Sequence, residues 1–284
     1  MKKIFPIIKS TFISSYFLTQ TYLYRRYKRF HLGLFWIFFP TLMVLFGTIV
    51  SSKQLDLKSF GFEIHYTLWV ILPFIVFRSI TETIDIAQKL IQQCFILYRS
   101  VIIKNFQIVI SIILITFIHI FLDLILGVII IAYFTDMEFL NLLIFVYLYF
   151  LGLIIGLIVG LTTGVLSMLY YDIRFLNKII RGAILFCTPI FYIMPKDGIV
   201  EIINLINPFT YLILASRDII IYGFTYNVIL CLIFSIPLFL ILIFFSFKLK
   251  SYLKIINSTL VKGVVGQTYS WGVVGKTSIK NVKS

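Results

Sequence analysis

Charge is scarce in this chain. Only 13% of its 284 residues are charged and only 11 are acidic, whereas a soluble domain carries about a quarter charged residues. Too few polar groups exist to cover its apolar side chains, which excludes an ordinary water-soluble globule. Cysteine is also scarce. Cys94, Cys187 and Cys231 lie far apart, with no Cys-x-x-Cys spacing, in or beside apolar runs. That excludes a disulfide framework and a zinc ribbon and reads as small buried hydrophobes. No Ser-His-Asp set, zinc-ligand spacing or carboxylate pair stands out, so neither a catalytic centre nor a metal or cofactor bound by this chain is expected. The start, MKKIFPIIKS, has a basic leader but no small-residue cleavage site, and Ser10, Ser14, Ser15 and Thr19 interrupt it. It is expected to be part of the mature protein.

What is present is apolar: 61% of residues are hydrophobic and 18% aromatic. Six stretches are long and apolar enough to suggest spans, at roughly 31–50, 64–80, 106–131, 139–168, 179–194 and 227–247, given that about 20 residues cross a bilayer. The expected fold is an all-α integral membrane protein of about six transmembrane helices. The net charge of +14 would suggest nucleic acid in a soluble chain, but here the cations sit in short segments between apolar runs. That is the pattern of cytoplasmic loops against anionic lipid, so membrane lipid is the expected partner and nucleic acid is not. Of 25 Lys and Arg, 21 fall on alternate connections: 1–30, 78–104, 170–181 and 248–284. Both termini are therefore expected in the cytoplasm, with the chain in the cytoplasmic membrane.

Residues 1–30 read as a unit of their own. Phe5, Ile8, Phe12, Tyr16 and Leu23 recur near helical spacing, ahead of the basic cluster Arg25, Arg26, Lys28 and Arg29. An amphipathic helix lying along the cytoplasmic interface fits this pattern, and a solvated basic arm is the alternative. The segment 81–104 is mixed and polar, and reads as two helix ends meeting in a cytoplasmic turn. The stretch 199–222 holds Glu201, Asn204, Asn207-Pro208, Arg217 and Asp218. It is too polar for a free span and reads as a re-entrant segment covered by protein or lining a cavity, with a seventh span as the competitor. The main unit is thus 31–250, followed by a cytoplasmic tail, 251–284. The tail repeats Gly-Val-Val-Gly, and its Gly275-Lys276-Thr277 hints at a P-loop. That motif needs glycine at position 270, where Ser270 stands, so a flexible or short β-ribbon tail is the expectation.

Ionisable groups inside the spans are few. His119 and Asp123 in the third run lie one turn apart on a common helix face. They read either as a self-satisfying helix-internal pair or as a proton relay. Asp172 and Arg174 at the end of the fourth run read as an interfacial ion-paired turn.

Four sets of residues carry a resemblance. The first is the cluster Arg25-Arg26-Tyr27-Lys28-Arg29 running into Leu32-Gly33 and Trp36, with Pro40 following. The second is Leu72-Pro73-Phe74 followed by a polar helix through Gln93, and the third is Tyr171-Asp172-Ile173-Arg174-Phe175. The fourth is Thr188-Pro189-Ile190-Phe191-Tyr192, then Asn207-Pro208-Phe209-Thr210, Arg217-Asp218 and Gly223. In order and spacing these resemble the membrane subunit of ABC-2-type exporters, specifically permeases for O-antigen, capsule or teichoic acid polysaccharides, over roughly residues 10–250. The chain departs from that family's pattern near 90–100, where Gln92-Gln93 and Tyr98-Arg99-Ser100 stand, and in its tail. The resemblance implies a homodimer working with a separate ABC ATPase subunit that carries ATP and Mg, a lipid-linked glycan as cargo, and no enzymatic activity in this chain. It implies re-entrant helices at 195–223, and ATPase docking through the helix at 5–24 and the polar helix at 82–99, with Glu82, Asp85, Lys89 and Gln92 as the coupling residues. Trp36, Phe191, Tyr192, Phe209 and Tyr211 are candidate channel-lining aromatics, with lipid-facing or belt positions as the alternative. Arg25, Arg26, Lys28 and Arg29 stand at the cytoplasmic entrance, where an anionic cargo end or orientation alone explains them. A drug or lipid permease, or a proton-coupled carrier, is the alternative function.

Overall fold

A computed structural model describes residues 4–28, 35–51, 65–98, 105–135, 138–170, 172–195, 197–249 and 251–252. Its elements are helices α1 (Ile4–Tyr27), α2 (Phe35–Ser51), α3 (Tyr66–Tyr98), α4 (Asn105–Phe134), α5 (Phe139–Leu169), α6 (Asp172–Cys187), α7 (Ile199–Ile206) and α8 (Pro208–Ile221), then α9 (Tyr226–Leu249). No strand occurs among the described residues. The repeat-bearing tail, together with Arg29, Leu32 and Gly33, lies outside them.

Length and apolarity alone qualify three helices to cross a membrane, α4, α5 and α9, or four when the bent pair α7–α8 is taken as one. The expectation of about six spans is met only in part, for a different reason at each missing one. The run at 31–50 becomes α2, apolar but only 17 residues long. The run at 64–80 is the first half of α3, a single helix of 33 residues whose second half is polar. The run at 179–194 ends its helix at Cys187, and 188–195 is not helical. The helix α3 carries the segment expected at 81–104 as helix up to Tyr98, and 99–104, where the turn was expected, lies outside the described residues. Nothing breaks it before Tyr98, and Arg78, Asp85, Gln88 and Gln92 each meet a neighbouring helix.

Contacts fix the direction of each helix. His65 stacks on Phe134 at 4.5 Å between ring centroids, and Arg78 pairs with Asp123, so α4 runs antiparallel to α3. Tyr149 donates to the carbonyl of Ile120, which sets α5 antiparallel to α4 and parallel to α3. Asn177 reaches Gln88 and Arg181 reaches Asp85, so α6 returns along α3. One end of the bundle therefore gathers the start of α3, the α4–α5 junction and the end of α8. The other gathers the end of α5, the start of α6 and, through the Phe106–Phe247 ring contact at 5.2 Å, the end of α9. These are the same two sets of connections that the Lys and Arg bias separates.

A glycine row makes the α3–α5 contact. Gly152, Gly156, Gly160 and Gly164 recur every fourth residue, so they form one stripe on α5. The stripe lies on α3 at Ser79, Ile80, Thr83, Ile84, Ala87, Gln88 and Ile91. A methyl added at Gly156 would come within 2.6 Å of the Ile80 carbonyl oxygen and 2.7 Å of Thr83 Cβ. Small residues at i, i+4 let backbones approach and maximise dispersion contact where no hydrophobic drive separates helix from lipid.

In helix α1 the apolar residues Phe12 and Tyr16 of the expected amphipathic face point outward, but the other face packs on α4. Ser15, Thr19 and Tyr22 are buried while Phe12, Tyr16 and Phe17 are more than half exposed. It runs alongside α4 in the same direction. Ser15 Oγ donates to the carbonyl of Gln107 at 3.1 Å, Ser111 Oγ donates to the carbonyl of Ser15 at 3.1 Å, and Tyr27 meets His119. Polar atoms thus face the bundle and rings face outward. In α7 the only buried residue is Asn204, while Ile199 and Ile206 are each 76% exposed. Such inversion is stable only where the surroundings are apolar, so this is an α-helical membrane protein.

The glycine stripe yields a test with an internal control. Gly156→Ala is expected to destabilise the detergent-solubilised protein by about 1–3 kcal/mol through overpacking against backbone. Gly47→Ala, which meets nothing within 4 Å, is expected to be neutral or slightly stabilising. Thermal unfolding followed by size-exclusion would reveal the difference, and equal melting temperatures would disprove the close contact.

Candidate functional site

Three helices bring their polar side chains to one buried point. Asp123 on α4 is fully buried and Arg78 on α3 is 4% exposed. Arg78 Nη1 lies 3.2 Å from Asp123 Oδ2 and 3.3 Å from Oδ1. Thr41 on α2 donates to Asp123 Oδ1 at 2.7 Å, and Arg78 Nη1 also contacts the Thr41 hydroxyl. The other end of the guanidinium faces Glu82, one turn on, at 3.5 Å. Two acids thus share one cation in an apolar surround, where leaving either charge alone would be costly.

His119 lies one turn from Asp123 but is not its partner, which corrects the self-satisfying pair. Its Nδ1 is 2.7 Å from the Ile115 carbonyl and its Nε2 is 2.7 Å from the Tyr27 hydroxyl. A neutral imidazole protonated at Nδ1 satisfies both bonds, with the tyrosine donating. Burial pushes the Tyr27 hydroxyl up to about 12, which keeps that proton in place. Arg26 beside it donates to the Tyr22 hydroxyl at 3.1 Å. The N-terminal helix is thereby tied at the level of the ion pair. A sequence signal for this existed only in part: Asp123 stood out, whereas Arg78 was counted as a loop cation because it opens a polar stretch.

The remaining predicted residues fall in four places. Glu82, Asp85, Lys89 and Gln92 lie on the continuous α3. Asp85 bridges Lys89 and Arg181, the latter at 3.3 Å, and Gln92 donates to Ser167 at 2.9 Å. With the Asn177–Gln88 bond at 3.0 Å, these side chains hold α5 and α6 to the polar half of α3. Of the basic cluster, Arg25 and Lys28 are exposed and Arg26 is partly buried. Trp36 sits in an exposed group with Phe35 and Phe39 at the start of α2. Phe191 lies 6.3 Å from Phe74 by ring centroid, Phe209 packs on the buried cluster that contains Phe74, and Tyr192 and Tyr211 hydrogen-bond to Asn204 and the Leu205 carbonyl. The aromatics at 191–211 are therefore gathered around the α7–α8 corner, which bends by 88°.

That corner is anchored by Asn207. Its side chain accepts from the Phe209 amide at 3.1 Å, capping α8 ahead of Pro208, and donates to the Cys187 carbonyl at 3.2 Å. At the far end of α8, Arg217 is 5% exposed and lies 3.6 Å over the Trp69 ring. Its Nε and Nη1 have no hydrogen-bond partner among the described residues. Asp218 turns away from it and accepts from Thr225 at 3.1 Å and Asn227 at 2.8 Å. Among the described residues no three His, Cys, Asp or Glu side chains lie close enough to hold a metal ion.

No protein-family model matches this chain, and no curated protein matches it.

A double-mutant cycle tests the ion pair. Asp123→Leu or Arg78→Met alone is expected to cost about 3–5 kcal/mol by stranding a buried charge, and the double variant is expected to recover much of that loss. Additive losses in thermal or denaturant unfolding would show that the two side chains do not interact.

Proposed function

We propose that the chain is the membrane-spanning permease subunit of an ABC exporter for a lipid-linked polysaccharide, driven by ATP hydrolysis on a separate subunit. The observation that carries this reading is the 88° corner between Ile199–Ile206 and Pro208–Ile221. A bent, Asn-capped helix pair stands where the sequence resemblance places re-entrant helices, ringed by Phe191, Tyr192, Phe209 and Tyr211. The reading assigns six crossings to α2, α3, α4, α5, α6 and α9, with α7–α8 re-entrant. The reversals of direction from α3 to α6 support it. Both termini then lie in the cytoplasm, as the Lys and Arg bias requires. The chain acts as a homodimer in the cytoplasmic membrane. Its ATPase partner docks on the cytoplasmic end of the bundle, where Lys89 is the exposed one among the coupling residues of α3, and aromatic side chains offer sugar rings a sliding surface without deep wells.

A proton-coupled carrier is the second reading, favoured by the buried Arg78–Asp123–Thr41 cluster with His119 one turn away. A buried carboxylate that exchanges between a cation and a proton is the core of such a device. The two readings part experimentally. In the exporter, an ATPase subunit copurifies in equal amounts and glycan export stops when that subunit is deleted. Export that persists without the ATPase, and that fails in Asp123→Asn while the protein stays folded, would instead establish the carrier.

A further inference from the structure

The end of the bundle that collects the α4–α5 junction and the end of α8 carries an open cavity of about 420 Å³, more than half exposed to the surroundings, lined by Thr135, Glu138, Asn141, Ile220, Ile221, Tyr222, Gly223 and Phe224. Its size lies within the range of small-molecule sites, about 300–1,000 Å³. One wall is a stiff turn. Gly223 has φ of 78°, a conformation that side-chain-bearing residues rarely adopt. The buried Asp218 carboxylate holds the turn from behind through Thr225 and Asn227. The turn presents Tyr222 and Phe224, 54% and 53% exposed. On the opposite wall, Glu138 precedes the first turn of α5 yet makes no capping bond with its side chain. Its carboxylate and the Asn141 carboxamide have no protein hydrogen-bond partner among the described residues.

From this chemistry we infer that the cavity is a binding subsite for one neutral saccharide unit. Among the described residues the lining holds one carboxylate and no cation, which disfavours a phosphate or carboxylate ligand. Two exposed rings offer faces to the C–H side of a pyranose. The carboxylate accepts hydroxyl protons, and the amide both donates and accepts. A quaternary ammonium would use the rings and Glu138 but leave Asn141 idle, whereas a sugar engages all of them. The choice of a glycan over other neutral polyols rests on the exporter proposal. On that reading the subsite lies on the outer face and holds a sugar unit of the emerging chain.

The test uses the full chain in lipid nanodiscs and saturation-transfer NMR. The probes are methyl β-D-glucopyranoside, methyl α-L-rhamnopyranoside and N-acetylglucosamine, with choline and inorganic phosphate as controls. At least one saccharide is expected to bind saturably. Tyr222→Ala should weaken it about fivefold or more, as loss of a stacking face does, and Glu138→Gln and Asn141→Ala should also weaken it. Tyr222→Phe should bind as wild type. Melting temperature is recorded for each variant, and if Tyr222→Ala is unstable the conservative Glu138→Gln decides. Binding by none of the saccharides overturns the subsite, as does binding that these variants leave unchanged, or choline binding that the same variants abolish. Saccharide binding without a copurifying ATPase would remove the exporter and leave the subsite. An ATPase partner with no saccharide binding would remove the subsite alone.

Discussion

The fold depends on keeping the polar face of α3 away from lipid. This helix carries Arg78, Ser79, Thr83, Asp85 and Gln88 across a length of about 50 Å at 1.5 Å per residue. In a hydrocarbon surround each unsatisfied group costs several kcal/mol. Every neighbour answers part of that demand. Asp123 and Thr41 meet Arg78, Asn177 and Arg181 meet Gln88 and Asp85, and Ser167 meets Gln92. The glycine stripe of α5 lies directly on the Ser79–Ile91 face. The positions of α2, α4, α5 and α6 around α3 therefore follow from polar satisfaction and close approach, while the apolar effect within the bundle is secondary.

The same demand explains the inverted peripheral helices. In α1 the serine hydroxyls find carbonyls of α4 or their own helix, and Phe12 and Phe17 are left to the surroundings. An aqueous protein would reverse that arrangement, since exposing several large rings side by side loses the stabilisation of burying them. Asn204 behaves likewise in α7. Its amide oxygen accepts from Tyr192, and the leucine and isoleucines around it point away.

What was legible in the sequence follows from how strongly each segment obeys one rule. The helices α4, α5 and α9 are long and almost uniformly apolar, so their limits were readable to within a few residues. Asn207-Pro208 marks both a cap and a first helical turn, so the break in 199–222 was readable too. The polar helix at 82–99 was readable through the resemblance, but its fusion with the apolar run at 64–80 into one α3 was not, because a polar stretch covered by protein has the composition of a connection. Its cover comes from residues such as Asn177 and Ser167, which lie 89 and 75 positions away from their partners. The His119–Asp123 spacing was real, but a shared helix face says nothing about which neighbouring helix each side chain meets. The four glycines at spacing four were in plain view. Their meaning depends on a partner helix running parallel, and composition does not supply that.

A continuous α3 has a consequence for any motion of this bundle. Its polar half is bound to α5 and α6, its middle carries the Arg78–Asp123 pair, and its first turn places Trp69 under Arg217. A helix without a break across these points moves as a rod, since no flexible residue separates them. Pro73 falls between Trp69 and Arg78, and it removes one backbone hydrogen bond from the rod. That makes the stretch from Trp69 to Arg78 the softest part of the helix. Displacement of the polar half is therefore felt first at the buried ion pair and only then, through Pro73, at the aromatic platform beneath α8. Arg217 has two unpaired N–H groups on that platform, so its seat is held by the Trp69 face more than by hydrogen bonds.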